Sequence, residues 1–387
     1  MKLVSTSWCV LVVLFTLLLN LPAFCGQGGP RGPIHGWWRV QIDSTNHHYG
    51  EFVPVGHLAI GPGRNDGHNH LYCAQINGYL TEYSYNSSTG AWEKATIGDL
   101  SYTGDWVVVG NGRNDGKNRI YVSQNDYLYE ISYSNGSWSR VLVAVHPQTP
   151  REWRDGFIGK GRNDTKYRLY VNDRVNVQEL TYSNGWTISQ VSSGWKLGAI
   201  EKGRNDNVIR LYGFGSDQKL YEVYRSGSQW IKNSIYTYTP SDGNSNPIIS
   251  GVTVAPGRGD GINRVYASGN DGQIYEGSYV NPAWTFVSIN SSPPRTCLSH
   301  SRICFGNIRN DGVQRGCTTG AEGADSSYIY DFKFLAPGSD WERGGTSFCA
   351  SPTGGYLLVG DARENPVGVT RVYVLTIDGK IQELFYQ

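Results

Sequence analysis

The stretch that decides the fold is residues 107–121, which read Val107-Val-Val-Gly-Asn-Gly-Arg-Asn-Asp-Gly-Lys-Asn-Arg-Ile-Tyr121. A short apolar run leads into the turn Gly112-Arg-Asn-Asp115, whose Asn, Asp and following Gly suit the positive φ of a tight hairpin. A second apolar stretch, Arg119-Ile-Tyr121, follows directly. The segment is therefore predicted to be a β-hairpin whose first strand is buried on both faces.

The same turn recurs along the whole chain. Its copies are Gly63-Arg-Asn-Asp66, Gly112-Arg-Asn-Asp115, Gly161-Arg-Asn-Asp164, Gly203-Arg-Asn-Asp206, Gly257-Arg-Gly-Asp260, Ile308-Arg-Asn-Asp311 and the degenerate Ala362-Arg-Glu364. Successive arginines are 42 to 54 residues apart, a period typical of propeller blades and longer than that of short helical repeats. In every copy but the seventh, the turn is followed by a third strand of the form Leu128-Tyr-Glu130 and by a Trp strand, which complete a four-stranded unit.

The two ends of the repeat array predict how it closes. The seventh copy contains Arg371-Val-Tyr373 and Gln382-Glu-Leu384 but has no Trp strand after them. An unmatched Trp strand lies at Gly36-Trp-Trp38. We therefore predict an all-β fold, a seven-bladed β-propeller over residues 34–387, with four strands per blade and residues 36–43 completing the last blade.

The amino-terminal 25 residues have the features of a signal peptide. Lys2 precedes an apolar run from Val10 to Leu21, and Ala23-Phe-Cys25 resembles a cleavage site. The run is shorter than the roughly 20 residues of a membrane span, so no membrane insertion is expected. Residues 26–33 are rich in Gly and Pro and are predicted to be a flexible lead-in. The chain is expected to be secreted and extracellular.

Secretion would place the cysteines in an oxidising compartment. Two disulfides are expected among Cys297, Cys304, Cys317 and Cys349, and the sequence leaves all three pairings open. Cys73 follows Tyr72 in a strand pattern and is predicted to be a buried free thiol. Four sequons would allow N-glycosylation, at Asn86, Asn135, Asn163 and Asn290.

A basic residue in the second strand is followed by an acid in the third strand of each repeat. The candidate binding pairs are Arg119/Glu130, Arg168/Glu179, Arg210/Glu222, Arg264/Glu276 and Arg371/Glu383. A guanidinium beside a carboxylate offers donors and acceptors to vicinal sugar hydroxyls, and a nearby indole ring can stack on a sugar. The candidate stacking residues are Trp138, Trp186 and Trp230. The alternative is a structural cross-strand ion pair in every blade.

These pairs also carry a family resemblance. The order Arg, apolar residue, Tyr, then Glu 11 or 12 residues later and finally Trp resembles the repeats of six-bladed fungal fucose-binding lectins. In that family the Arg and Glu bind fucose between blades, so the resemblance implies a multivalent lectin whose partners are glycans or glycoproteins. The number of copies differs, and the Arg-Asn-Asp-Gly turn is more similar to the FG-GAP repeats of integrin α subunits and of seven-bladed lectins built from them. The alternative function is an extracellular protein-interaction propeller.

Other classes of function find no support in the sequence. With 34 Lys and Arg against 33 Asp and Glu, the chain has no basic field for nucleic acid. No metalloprotease, nucleophile-elbow or phosphate-loop motif occurs, so neither catalysis nor a cofactor is expected. Each turn offers about one Asp, and Ca²⁺ takes 6–8 oxygen ligands, so no metal site is expected.

Overall fold

Each copy of the repeat folds into one four-stranded antiparallel sheet, and there are seven such sheets among the described residues. The computed structural model describes residues 37–44, 56–75, 79–99, 106–147, 152–173, 175–238, 249–269, 273–289, 303–321, 327–334, 341–350, 356–363, 369–376 and 380–386. The predicted signal peptide, the lead-in, Asn290 and Cys297 lie outside these ranges. In the part of the chain that is described, no helix is long and apolar enough to cross a membrane.

The sheets are numbered as blades in chain order. Blades one and two contain β2 (Gly56–Gly61), β3 (His70–Gln75), β4 (Tyr79–Asn86), β5 (Ala91–Asp99), β6 (Val107–Gly110), β7 (Arg119–Gln124), β8 (Tyr127–Ser134) and β9 (Ser137–Val145). Blades three and four contain β10 (Asp155–Gly159), β11 (Arg168–Asn172), β12 (Asn176–Tyr182), β13 (Trp186–Ser193), β14 (Lys196–Glu201), β15 (Arg210–Phe214), β16 (Lys219–Ser226) and β17 (Gln229–Thr237). Blades five and six contain β18 (Ile249–Ala255), β19 (Arg264–Gly269), β20 (Ile274–Val280), β21 (Ala283–Ser288), β22 (Cys304–Gly306), β23 (Arg315–Ala321), β24 (Ser327–Phe334) and β25 (Trp341–Ala350). Blade seven contains β26 (Tyr356–Gly360), β27 (Arg371–Leu375), β28 (Lys380–Tyr386) and β1 (Trp37–Ser44).

Burial changes across each blade, and the fully buried strand is the second one, whereas the sequence pattern predicted the first. In β6 only Val107 is buried, and the residues from Val108 to Gly110 are partly exposed. In blade two, every residue of the second strand β7 is buried, because its apolar run packs against neighbouring blades on both faces of the sheet. The outer strand β9 is mostly exposed. Hydrophobic clusters lie between successive blades, such as the one that joins Tyr72 and Leu80 of blade one to Ile120 and Val122 of blade two.

The predicted closure is confirmed. Strand β1 pairs antiparallel with β28, with Val40 opposite Glu383, so the amino-terminal strand completes blade seven. Trp37 is buried in a cluster with Ile308 and Cys317 of blade six and Leu384 of blade seven. Strand β26 packs on β2 of blade one, which makes the arrangement of blades a ring.

Candidate functional site

The second-strand arginines form ion pairs inside their own blades. In blade two the Arg119 guanidinium donates two hydrogen bonds to the Asp115 carboxylate of the turn, at 2.8 and 2.6 Å. Four other blades repeat this two-bond pair, in Arg168/Asp164, Arg210/Asp206, Arg264/Asp260 and Arg315/Asp311. Arg371 donates a hydrogen bond of 3.2 Å to Asp361. These arginines are therefore engaged before any ligand arrives.

The third-strand acids are held by a different arginine, the one in the turn. Arg113 donates to Glu130 from Nε at 2.8 Å, and its Nη2 lies 2.6 Å from the other carboxylate oxygen. The buried hydroxyl of Tyr121 donates a third bond to Glu130, at 3.1 Å. Equivalent turn arginines are Arg64, Arg162, Arg204, Arg258, Arg309 and Arg363. The sequence did contain a signal for this contact with the third-strand acid. An Arg is present in all seven turns, although the turn conformation itself does not require one.

The predicted Arg/Glu pairs do come together, but inside the blade. The Nε atoms of Arg119, Arg168, Arg210, Arg264 and Arg371 lie 2.9 to 3.9 Å from Glu130, Glu179, Glu222, Glu276 and Glu383. These carboxylates are 0 to 1% exposed, and the arginines 4 to 8%. A sugar hydroxyl could reach such a carboxylate only by displacing an arginine. Each of blades two to five thus contains a four-membered network of turn Arg, third-strand acid, second-strand Arg and turn Asp. In blade one His70 stands in place of the second-strand Arg and pairs with Asp66.

The first glycine of the turn leaves room for this network. A Cβ atom on Gly112 would lie 2.6 Å from the Tyr121 hydroxyl, which is closer than atoms can approach. Blade six shows the complementary exchange, since Ile308 stands in place of the glycine and Cys317 in place of the tyrosine. Both are buried in one cluster, so the larger Ile side chain fills the volume that the missing ring leaves.

The predicted stacking tryptophans contact neighbouring blades. Trp138, Trp186 and Trp230 lie edge-on to Tyr72, Tyr121 and Tyr170 of the preceding blade, with ring centroids 5.8 to 6.4 Å apart. The turn arginines also lie over a ring of the following blade, as Arg113 does over Tyr182 at 4.4 Å. These aromatic side chains therefore join the blades to one another.

The Asn of each turn has two roles. Asn65, Asn114, Asn163, Asn205 and Asn310 have φ between 57° and 61°. The side chain of Asn114 also accepts a hydrogen bond from Tyr167 N at 2.6 Å and donates one to Tyr167 O at 2.8 Å in the next blade. Asn65, Asn205 and Asn310 make the same two contacts, and Asn163 makes the accepting one. We call this contact the asparagine clasp.

Blade five has Gly259 at the clasp position, and this gives a testable prediction. Gly259 has φ 72°, and a Cβ atom there would meet nothing within 4 Å. We expect Gly259→Asn to add a clasp to blade six and to raise the free energy of unfolding by about 1 kcal/mol, because it adds hydrogen bonds and restricts the unfolded chain. Asn205→Gly should lower stability by a similar amount in the same denaturant titration. A Gly259→Asn protein that melts at or below the parent temperature would contradict the role of the clasp.

The turn acids predict how stability depends on pH. The bond from Arg119 lowers the pKa of Asp115 to about 2, and Arg315 does the same for Asp311. Because these values lie below the ordinary Asp pKa of about 3.9, the stabilisation is complete above pH 4 and is lost as pH falls towards 2. Asp115→Asn/Asp311→Asn should therefore melt below the parent at pH 6, and the difference should shrink towards pH 2. Asp126→Asn, in another turn of blade two, is the control, and a pH-independent difference would contradict the prediction.

The positions of Cys304 and Cys317 in blade six favour one of the three disulfide pairings that the sequence leaves open. No disulfide joins two of the described cysteine side chains, and Cys73 is a buried free thiol whose pKa is raised by burial to about 12. Cys304 and Cys317 are register partners on β22 and β23, where opposite Cβ atoms lie about 4.5–5.5 Å apart. We expect these two to pair under oxidising conditions, which leaves Cys297 to pair with Cys349. Peptide mapping without reduction tests this, and a Cys304–Cys297 or Cys304–Cys349 peptide would contradict it.

One position of each turn takes no part in these networks through its side chain. It lies two residues before the second-strand Arg, or before His70 in blade one, and we call it the rim position. Its members are His68, Lys117, Lys166, Val208, Ile262, Val313 and Val369. In blades two to six its N–H donates to the turn Asp and its carbonyl accepts from the second-strand Arg. Only the side chain remains for other contacts, and those of Ile262 and Val313 are 46% and 39% exposed.

Comparisons with known proteins identify the fold. No protein-family model and no curated protein matches the sequence. The solved structures that are similar include the following three. BBS1N in complex with ARL6DN matches with 14% identity and a TM-score of 0.55, over 90% of this chain and 96% of that one. YCF48 bound to D1 peptide matches with 14% identity and a TM-score of 0.53, over 92% and 98%. A chain of the S. cerevisiae Dbp5 structure with Nup159 and Gle1 matches with 12% identity and a TM-score of 0.55, over 91% and 95%. At this identity the likeness supports the propeller fold alone.

Proposed function

We propose that this protein is a secreted, non-catalytic interaction propeller that binds a segment of another protein on the rim of blades four to seven. The observation that carries the proposal is the set of β-branched apolar residues at four successive rim positions, Val208, Ile262, Val313 and Val369. Ile262 and Val313 are well exposed, and Val208 and Val369 are partly buried.

The fold does not require apolar residues there. The same position carries His68, Lys117 and Lys166 in blades one to three, and the backbone contacts of blades two and three match those of blades four to six. An apolar side chain that is exposed to solvent at the rim position contributes nothing to the ion-pair network of its blade. Contiguous exposed apolar surface is typical of interaction sites, and full burial of one such side chain by a partner contributes about 1.5–3 kcal/mol.

The solved structures agree with this class of function. Two of the similar structures contain a protein or peptide partner: BBS1N is in complex with ARL6DN, and YCF48 is bound to D1 peptide. This is an analogy at the level of the fold, and it supports binding of proteins without naming a partner for this chain. Secretion rests on the signal-peptide features of residues 1–25.

The residues predicted to bind sugars already have partners within the fold. The Arg/Glu pairs that resemble the fucose lectins are buried in the blade networks, and Trp138, Trp186 and Trp230 pack against tyrosines of adjacent blades. No observation on the described surface favours sugar binding at those pairs, so protein binding is the function that the geometry supports better.

The test is a selection of peptides on the purified protein. A phage-displayed library of random 16-residue peptides is selected on the parent, and enriched peptides are measured against Ile262→Ser/Val313→Ser. We expect affinity to fall at least tenfold, because the variant lacks two apolar side chains that the bound peptide would bury. Val141→Ser/Val287→Ser is the matched control, since these valines are 49% and 46% exposed on outer strands.

The outcomes separate the candidate functions. Peptides whose binding is lost in the rim variant and kept in the control support the proposal. Peptides that bind both variants equally, or no enrichment at all, would overturn it. Binding on a glycan array that survives the rim substitutions would favour a lectin.

A further inference from the structure

The side chains at the rim position are basic in blades two and three and apolar in blades four to seven. Blades two and three place Lys117 and Lys166 at the rim position, and both side chains are exposed. Lys160, just before the turn of blade three, lies over the ring of Tyr167 with its ammonium 4.7 Å from the ring centroid. Tyr167 is itself 39% exposed. A basic and aromatic surface therefore precedes the apolar rim of blades four to seven.

The positive charge of this surface is not cancelled by the turn acids. Asp115 and Asp164 each accept two hydrogen bonds from the second-strand arginines of their own blades. Glu130 and Glu179 are held in the same way by Arg113 and Arg162. The ion-pair networks are therefore neutral within each blade, and the lysines of the rim add net positive charge to it.

The basic and apolar parts form one continuous surface. The clasp of Asn114 fixes the backbone of Tyr167, and Asn163 accepts a hydrogen bond from Ile209 N. Asn205 then clasps Asn263, the residue after Ile262. Through these contacts the turns of blades two to five are tied in sequence, so Lys117, Lys166, Val208 and Ile262 lie along one arc.

We infer that the partner segment is an acidic and apolar peptide, with its carboxylates over blades two and three and its apolar side chains over blades four to six. This inference rests on the proposed function and adds the chemistry and direction of the ligand. Lysines that surround an approaching carboxylate steer its encounter and select against basic segments. A sulfated glycan would satisfy the lysines but would leave Ile262 and Val313 exposed, so a peptide fits the whole arc better.

The experiment uses the peptides selected above. We expect the enriched sequences to contain Asp or Glu at one end and branched apolar residues at the other. A synthetic copy of the strongest binder should lose about tenfold in affinity on Lys117→Glu/Lys166→Glu, because two attractive pairs become repulsive. Added salt should weaken binding to the parent but should not weaken binding to the variant, because salt screens the new repulsion. Lys219→Glu/Lys380→Glu, at the start of β16 and β28, is the matched control and should bind as the parent does.

Two results would overturn the inference while the proposed function stands. The first is enrichment of neutral or basic peptides whose binding still depends on Ile262 and Val313. The second is an acidic peptide that binds Lys117→Glu/Lys166→Glu as well as the parent. A heparin fragment that displaces the peptide through the lysines and binds Ile262→Ser/Val313→Ser unchanged would assign the basic surface to a sulfated glycan. A selection with no rim-dependent peptide would instead count against the proposed function.

Discussion

Glu222→Ala is expected to lower the free energy of unfolding by about 3–5 kcal/mol. This is the usual cost of removing one partner of a buried ion pair, because the other charge is then uncompensated. The Glu222 side chain is fully buried and binds Arg204 through both oxygens. It also accepts a hydrogen bond of 3.0 Å from Tyr212 and lies 3.3 Å from Arg210. Without the carboxylate, the guanidinium groups of Arg204 and Arg210 remain in blade four with one acid, Asp206, which pairs with Arg210 alone.

This substitution also distinguishes a structural network from a ligand site. If Glu222 bound a sugar, its removal would abolish binding and change stability little. The measurement is equilibrium unfolding in urea, with Lys219→Ala as the control, since the Lys219 side chain is 42% exposed in the same blade. We expect the control to lie within about 0.5 kcal/mol of the parent. A Glu222→Ala protein as stable as that control would show that the network does not stabilise the blade.

Removal of the strand that closes the ring is expected to have the second large effect. A chain without residues 26–45 lacks β1, so β28 loses its outer neighbour and blade seven keeps three strands. Trp37 also leaves its buried place between blades six and seven, and loss of a buried Trp side chain alone costs about 3–5 kcal/mol. We expect the cooperative thermal transition to be lost or to move down by more than ten degrees, as judged by circular dichroism.

A second deletion separates the strand from the residues before it. Removal of residues 26–35 leaves β1 intact and should melt with the parent. Equal melting temperatures for the parent and the chain without residues 26–45 would mean that closure by β1 contributes little to stability.

Repetition made the fold predictable. Seven copies of one turn fixed the number of blades, and a missing strand at one end matched a spare strand at the other. The predicted strands around Val107, Arg119 and Leu128 are present as β6, β7 and β8. A repeated sequence pattern predicts which strands are present, because similar sequences adopt the same local backbone geometry in each repeat.

The candidate site was less predictable, because burial and pairing depend on contacts between distant residues. Arg119 and Glu130 have a spacing that indicates proximity, and they do lie 3.3 Å apart. The sequence did not show that Arg113, 17 residues before Glu130, would bind the same carboxylate. Nor did it show the asparagine clasp, because the positive φ of the turn already accounted for Asn114.

The adjacency of the two outermost strands has a consequence for circular permutation. Trp37 is opposite Tyr386 in the register of β1 and β28, so a short linker could join these two positions as an ordinary hairpin. The chain could then be opened in the turn at Asn184 and Gly185, between β12 and β13. Blade seven would become a continuous meander, and blade three would become the composite one. Because each ion network is confined to its blade, such a permuted chain should keep every network and every rim side chain in place.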